Sequence, residues 1–316
     1  DRLTEVAPDD SEQAGQVLAR LSDRELRSAT VVDGAPGGMH RGLRRGGGVE
    51  FAEHREYSPG DDLRHLDWRA WARNDRFYIK RYEQEVHAAI TLLLDASASM
   101  AVAPAAGAAA GVDKMAAVRL LVAVLAAMVV RQGDAVGLMI AGRPQLDVPP
   151  AGGESQLLRL IGTLLRVEPE GAGGLESLGR AALRDVERSG VVIALSDVLS
   201  DPALALAPLA SMARMGPRVA LLQTLHPLEL TLGFDEPVEL VCGERGERQI
   251  VDPRVLRRAY IDMMTEHCDA VRKQATAAGV HHLVVDLGAD PARAIGKLLG
   301  LLAGVGGRMA RVGGAA

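Results

Sequence analysis

The chain has 316 residues, 48% of them apolar, and a formal net charge of −5. That length and composition describe a folded chain with room for a full α/β core and an accessory piece. The charge balance gives no global case for nucleic acid or an anionic membrane. Two cysteines far apart, Cys242 and Cys268, exclude a disulfide framework and a cysteine-based zinc site.

The start, "DRLTEVAPDDSEQAG", is acidic and shows no secretory leader, so a cytoplasmic location is the expectation. The most apolar run, 115–130, contains Arg119 and falls short of the roughly 20 residues a membrane span needs. Residues 11–29 read as a helix, followed by the Gly-rich loop "DGAPGGMHRGLRRGGG". Seven of the nine aromatic residues then fall between Phe51 and Tyr82, which marks residues 1–85 as an N-terminal accessory unit. Within it, Trp68 and Trp71 interleave with Arg64, Arg69, Arg73 and Arg76. Aromatics among arginines can stack on single-stranded nucleic acid, here through segment 64–82, or can pack an accessory unit onto a sheet. Packing is the favoured reading, because the chain has few other aromatics for that interface.

From residue 86 to 303 strands alternate with helices. The run "AAITLLLDA" is apolar throughout, which suits a strand buried on both faces. Asp113 is placed to cap a helix over 114–131 that is apolar nearly all round and therefore buried. "AVGLMIAG" gives a second strand, and helices are expected over 154–166 and 175–189. The strand "VVIALSD", a helix over 202–215 and the strand "RVALLQTL" follow. Residues 226–252 read as a hairpin excursion, before a helix over 253–278, the strand "HHLVVDL", a helix over 291–303 and a frayed tail, 304–316. This alternation predicts an α/β fold with a doubly wound, mostly parallel sheet.

In such sheets ligands bind beyond the carboxyl ends of the strands. Asp95, Ser97 and Ser99 stand at one such end, and Asp197 at another. Two carboxylates and two hydroxyls make a hard oxygen site of the kind Mg²⁺ prefers. The same residues could instead cap helices and satisfy loop amides. A phosphotransferase would need a second carboxylate two residues after the nucleophile, where Ser97 stands. A P-loop and a G-x-S-x-G motif are both missing from the sequence.

The D-x-S-x-S pattern after an apolar strand resembles the metal-ion-dependent adhesion site of von Willebrand factor A domains. Upstream, "GVEFAEHREYSPGDDLRHLDWRAWARNDRFYIKRYEQE" resembles the signature of the bacterial domain of unknown function 58 family. That resemblance implies a von Willebrand A-like, Rossmann-like sheet and a MoxR-type AAA+ ATPase as partner. It also implies a Mg²⁺ held by Asp95, Ser97, Ser99 and Asp197, with a threonine as fifth group in the loop before the helix at 175. Leu175 stands there instead, with Ser177 as the only nearby substitute, and His226 replaces a usual aspartate. The function implied is a non-enzymatic interaction protein, an adaptor or co-chaperone; nucleic-acid binding and metal-dependent hydrolysis are the competing classes.

Overall fold

The parallel sheet is built where the sequence is most uniformly aliphatic. The structure, a computed structural model, describes residues 48–56, 78–85, 89–102, 113–142, 145–171, 174–186, 190–241 and 247–304. It falls into two units, residues 40–87 and the rest of the chain. In the first, β1 (Gly48–Glu56) pairs antiparallel with β2 (Tyr78–Glu85), with a register irregularity between Phe51 and Glu53. The helix expected over 11–29, Trp68, Trp71 and the basic positions 64–76 lie outside the described residues.

The second unit holds a six-stranded sheet in the order β10-β7-β6-β3-β4-β5. Its strands are β3 (Ala89–Asp95), β4 (Ala135–Ala141), β5 (Leu146–Ala151), β6 (Val191–Ser196), β7 (Arg218–Leu225) and β10 (His281–Asp286). All neighbours pair parallel except β4 and β5. Counted in sheet order from the β5 edge, this is the 3-2-1-4-5-6 sequence of a doubly wound fold, with the reversal between β3 and β6.

Burial on both faces explains the continuous apolar runs. Leu93, Val192, Ala194 and Leu221 face one core, shared with α3 (Gly174–Ala182), α4 (Pro202–Met215) and α6 (Pro253–Ala277). Leu92 and Leu94 are fully buried toward the other face, as period-2 alternation requires. The helix expected over 114–131 is α1 (Lys114–Arg131), buried nearly all round, and it packs against α2 (Glu154–Leu165). Residues 226–252 contain the short α5 (Pro227–Thr231) and an antiparallel pair, β8 (Val238–Val241) and β9 (Arg248–Val251). The last helix is α7 (Pro291–Gly304). None of the helices among the described residues is long and apolar enough to cross a membrane.

Two elements differ from the sequence expectation. The helix expected over 175–189 stops at Ala182, and the chain continues as a turn closed by Asp185 N–H donating to Ala182 O. Beyond Ala182, Leu183 is half-buried and Val186 buried against the core, so apolar contact continues past the end of the helix. β5 has no counterpart in the sequence expectation, which assigned no element between the strand "AVGLMIAG" and the helix at 154. It is an edge strand, where prolines forfeit no ladder bond on the open side. Gly137 on β4 makes room for it: a Cβ there would lie 2.8 Å from Pro150 N.

β10 forms the other edge and carries His281 and His282. Burial holds both imidazoles below their ordinary range, with Arg218 adding to the effect on His281 and Arg272 on His282. The unfolded chain therefore takes up these protons near pH 6.5, before the folded one does. Stability from this source is complete above about pH 6.5 and declines as pH falls toward the depressed folded values. Urea midpoints should drop between about pH 7.5 and pH 5.5, and a His281→Gln, His282→Gln variant should show a shallower drop. An equal drop in that variant would place the titration elsewhere.

Candidate functional site

β3 and β6 are neighbours at the reversal of strand order, with Leu94 beside Leu195. Their ends therefore deliver Asp95 and Ser196 side by side. Ser196 Oγ donates to Asp95 Oδ2 at 2.6 Å, and Ser97 N–H donates to Asp95 Oδ1 at 2.9 Å. Asp95 is buried, and burial pushes its carboxyl above the usual range; the nearby Asp197 charge adds to this, while the Ser196 and Ser97 bonds oppose it.

The next residues form a 3-10 turn, Ala98–Met100. It sets Ser97 Oγ and Ser99 Oγ 3.1 Å apart. Ala98 N–H donates to Gly171 O and Glu170 N–H to Ala96 O, which lays the 168–171 loop against the turn. Ser97 is buried rather than free in a loop.

Asp197 follows β6 directly and meets a group that the sequence reading did not name. Lys114 Nζ lies 2.8 Å from Asp197 Oδ2, 2.7 Å from Glu229 Oε1 and 3.2 Å from Ser99 O. An ammonium has three N–H donors, so all three are used. The Lys114 side chain is 0% exposed, against 4% for Asp197 and 11% for Glu229. Local structure places each partner. Asp113 caps α1 by accepting from Ala116 N–H, which fixes Lys114 at the first helical position. Glu229 sits in the capping box of α5: its Oε2 accepts from His226 N–H at 2.7 Å, while His226 Nδ1 accepts from Leu228 N–H at 3.1 Å. Tyr260 OH donates to Glu229 O at 2.8 Å and ties α5 to α6. His226 thus supplies the acceptor that an aspartate would supply at a helix N-terminus.

The backbone carrying Asp197 is held in a costly shape. Val198 is buried and β-branched, yet has φ of 50°. Such a conformation costs about 1–3 kcal/mol and persists only where its surroundings impose it. Here Val198 N–H donates to Ser196 Oγ, His267 Nε2 donates to Val198 O at 2.6 Å, and Gln223 Nε2 donates to Asp197 O at 3.1 Å. Gln223 Oε1 in turn accepts from His282 Nε2.

Of the residues expected to hold Mg²⁺, the structure brings Asp95, Ser97, Ser99 and Asp197 to one end of the sheet. Leu175 is in the apolar core beside Leu178, and Ser177 is exposed on α3 with its Oγ donating to Gly174 O. The backbone at Gly174 comes close to the site: a Cβ there would lie 3.2 Å from Asp95 Oδ2. The donor set does not suit a divalent ion. Asp197 already faces a cation, both Asp95 oxygens already accept hydrogen bonds, and position 175 offers no oxygen. Among the described residues no three His, Cys, Asp or Glu side chains gather as a ligand set. Ser196, whose hydroxyl donates to Asp95, is 1% exposed and out of a substrate's reach.

Lys114, Glu229 and Ser196 were the residues sequence reading missed. Each left a signal: a lone lysine opening an apolar helix, a glutamate three residues after His226 and Pro at the first helical position, and the serine before Asp197.

The fold is a doubly wound α/β sheet that carries Asp-x-Ser-x-Ser at its strand-order reversal. The chain belongs to the family described as protein of unknown function DUF58, whose model matches residues 53–270. An uncharacterized protein of Mycobacterium tuberculosis (strain ATCC 25618 / H37Rv) is 30% identical over 239 residues, covering 73% of this chain and 72% of that one, as is one of Mycobacterium bovis. Similar solved structures include BatB from Bacteroides thetaiotaomicron, at 15% identity and TM-score 0.44, covering 69% of this chain and 99% of that one. The VWA domain of SpRpn10 is similar at 12% identity and TM-score 0.40, covering 66% of this chain and 94% of that one.

The hydrogen bonds to Asp95 set an expectation. Asp95→Ala strips two buried donors of their acceptor and should cost about 2–4 kcal/mol. Asp95→Asn keeps an acceptor for Ser97 N–H and removes a buried charge, so it should stay within about 1 kcal/mol of wild type in urea unfolding. Equal damage from both substitutions would show that the charge itself is required.

Proposed function

We propose that the chain is a non-catalytic protein-interaction module whose docking face is the sheet end formed after β3 and β6. The observation that carries this reading is the state of the charges there: Lys114, Asp197, Glu229 and Asp95 satisfy one another or are met by local donors. None of these groups is left over to act as base or nucleophile. The surface of these loops is mixed: Ala101, Leu199 and Ser200 are exposed, Ala98 and Ser99 are half-buried, and Glu168, Glu170 and Asp201 are exposed beside them. Exposed apolar groups rimmed by polar and acidic ones suit contact with another folded protein. The position agrees with the strand-end rule for doubly wound sheets.

The resemblance to the domain of unknown function 58 signature supports a MoxR-type AAA+ ATPase as the partner, with the chain serving as adaptor or co-chaperone. Binding of the purified full chain to its cognate MoxR-type ATPase tests this. An Ala101→Arg, Leu199→Arg variant puts bulky charge on two exposed rim positions that make no contact with the buried ion cluster. It should keep its melting temperature and lose roughly 10-fold or more in affinity, the loss of 1.4 kcal/mol or more. Unchanged affinity in the folded variant would remove this face as the docking surface.

A further inference from the structure

We infer that Lys114 is the resident cation of this site: its ammonium supplies the positive charge that a divalent metal supplies in adhesion-type sites, and Glu229 completes its shell. The inference rests on the geometry of the ion cluster and not on what docks there.

The lysine stands against local preference. It opens α1, where the helix dipole disfavours a cation, and its side chain is 0% exposed. Burying an ammonium carries a large desolvation cost that only close, well-aimed acceptors offset. The sequence supplies those acceptors from far away, Asp197 83 positions later and Glu229 115 positions later. A local rule broken this way, with distant residues assembled to compensate, marks a site rather than ordinary core.

The acceptors also resemble a cation's shell more than a simple ion pair. Two carboxylate oxygens and the Ser99 carbonyl surround one Nζ at 2.7–3.2 Å. Two of these three come from Ser99 and Asp197, both members of the set that the D-x-S-x-S pattern assigned to Mg²⁺. The third, Glu229, is an internal carboxylate aimed by its own capping box, with its second oxygen on His226 N–H. Metal coordination would in addition use an oxygen at position 175, and Leu175 instead packs in the core. Position 175 supplies no oxygen, and the ammonium fills the site without one.

The test uses the full chain and Mn²⁺ as probe. Wild type should melt at the same temperature in EDTA and in millimolar MnCl2, and should show no Mn²⁺ binding by electron paramagnetic resonance that Asp197→Asn removes. Lys114→Met leaves Asp197 and Glu229 facing each other with no cation between them. It should melt lower in EDTA, recover in MnCl2, and bind Mn²⁺ roughly 10-fold or more tighter than wild type. If Lys114→Met does not fold, Lys114→Met with Glu229→Gln carries the same readout, because it removes one carboxylate along with the ammonium. Mn²⁺ binding by wild type that Asp197→Asn abolishes would overturn the inference. So would a folded Lys114 variant that Mn²⁺ neither binds nor stabilises, since Lys114 would then be only a structural ion pair.

Discussion

One buried ammonium ties the carboxyl end of the sheet together. Lys114 belongs to α1, Asp197 follows β6 and Glu229 lies in α5, and Nζ bonds Asp197, Glu229 and the Ser99 carbonyl at once. Truncating one partner of such a cluster is expensive, about 3–5 kcal/mol, because the others remain buried and uncompensated. The cluster therefore fixes where α1 starts, how the Asp197 loop turns and where α5 sits. Its satisfaction also explains why the site offers neither a free base nor an open carboxylate pair.

The strained turn at Val198 depends on the same arrangement. Asp197 reaches Lys114 from a backbone that a β-branched residue rarely adopts, and three side chains from β6, β7 and α6 hold that backbone in place. Residue types that look unrelated along the chain, Ser196, Gln223 and His267, thus serve one loop. Rigidity at this point leaves a rim of fixed shape, with Leu199 displayed next to it.

Much of the architecture was legible because parallel strands buried on both faces must be aliphatic throughout. The runs around Leu92, Ile193 and Leu221 announce themselves, and the strand-end positions of Asp95 and Asp197 follow from where those runs stop. β5 was not legible, since two prolines deny its strand character and only an edge position permits it. The end of α3 was missed because the segment after Ala182 carries helix-forming residues and keeps Leu183 and Val186 against the core, as a continuing helix would. At the site, the D-x-S-x-S residues could be read from local spacing. Lys114 and Glu229 each left a local signal, but their contacts did not, because Lys114 meets Asp197 and Glu229 across 83 and 115 positions. Leu175 was noticed as a departure from the expected ligand set, and the structure places it in the apolar core.

Amide resonances of the site report directly on whether it carries its own cation. In a heteronuclear NMR spectrum of the full chain titrated with substoichiometric Mn²⁺, the amides of Ser97, Ala98, Ser99 and Val198 should keep their intensity, because Lys114 already holds the charge at that end of the sheet. Selective paramagnetic broadening of those four amides, ahead of amides elsewhere in the sheet, would contradict the account and restore a divalent ion to the site.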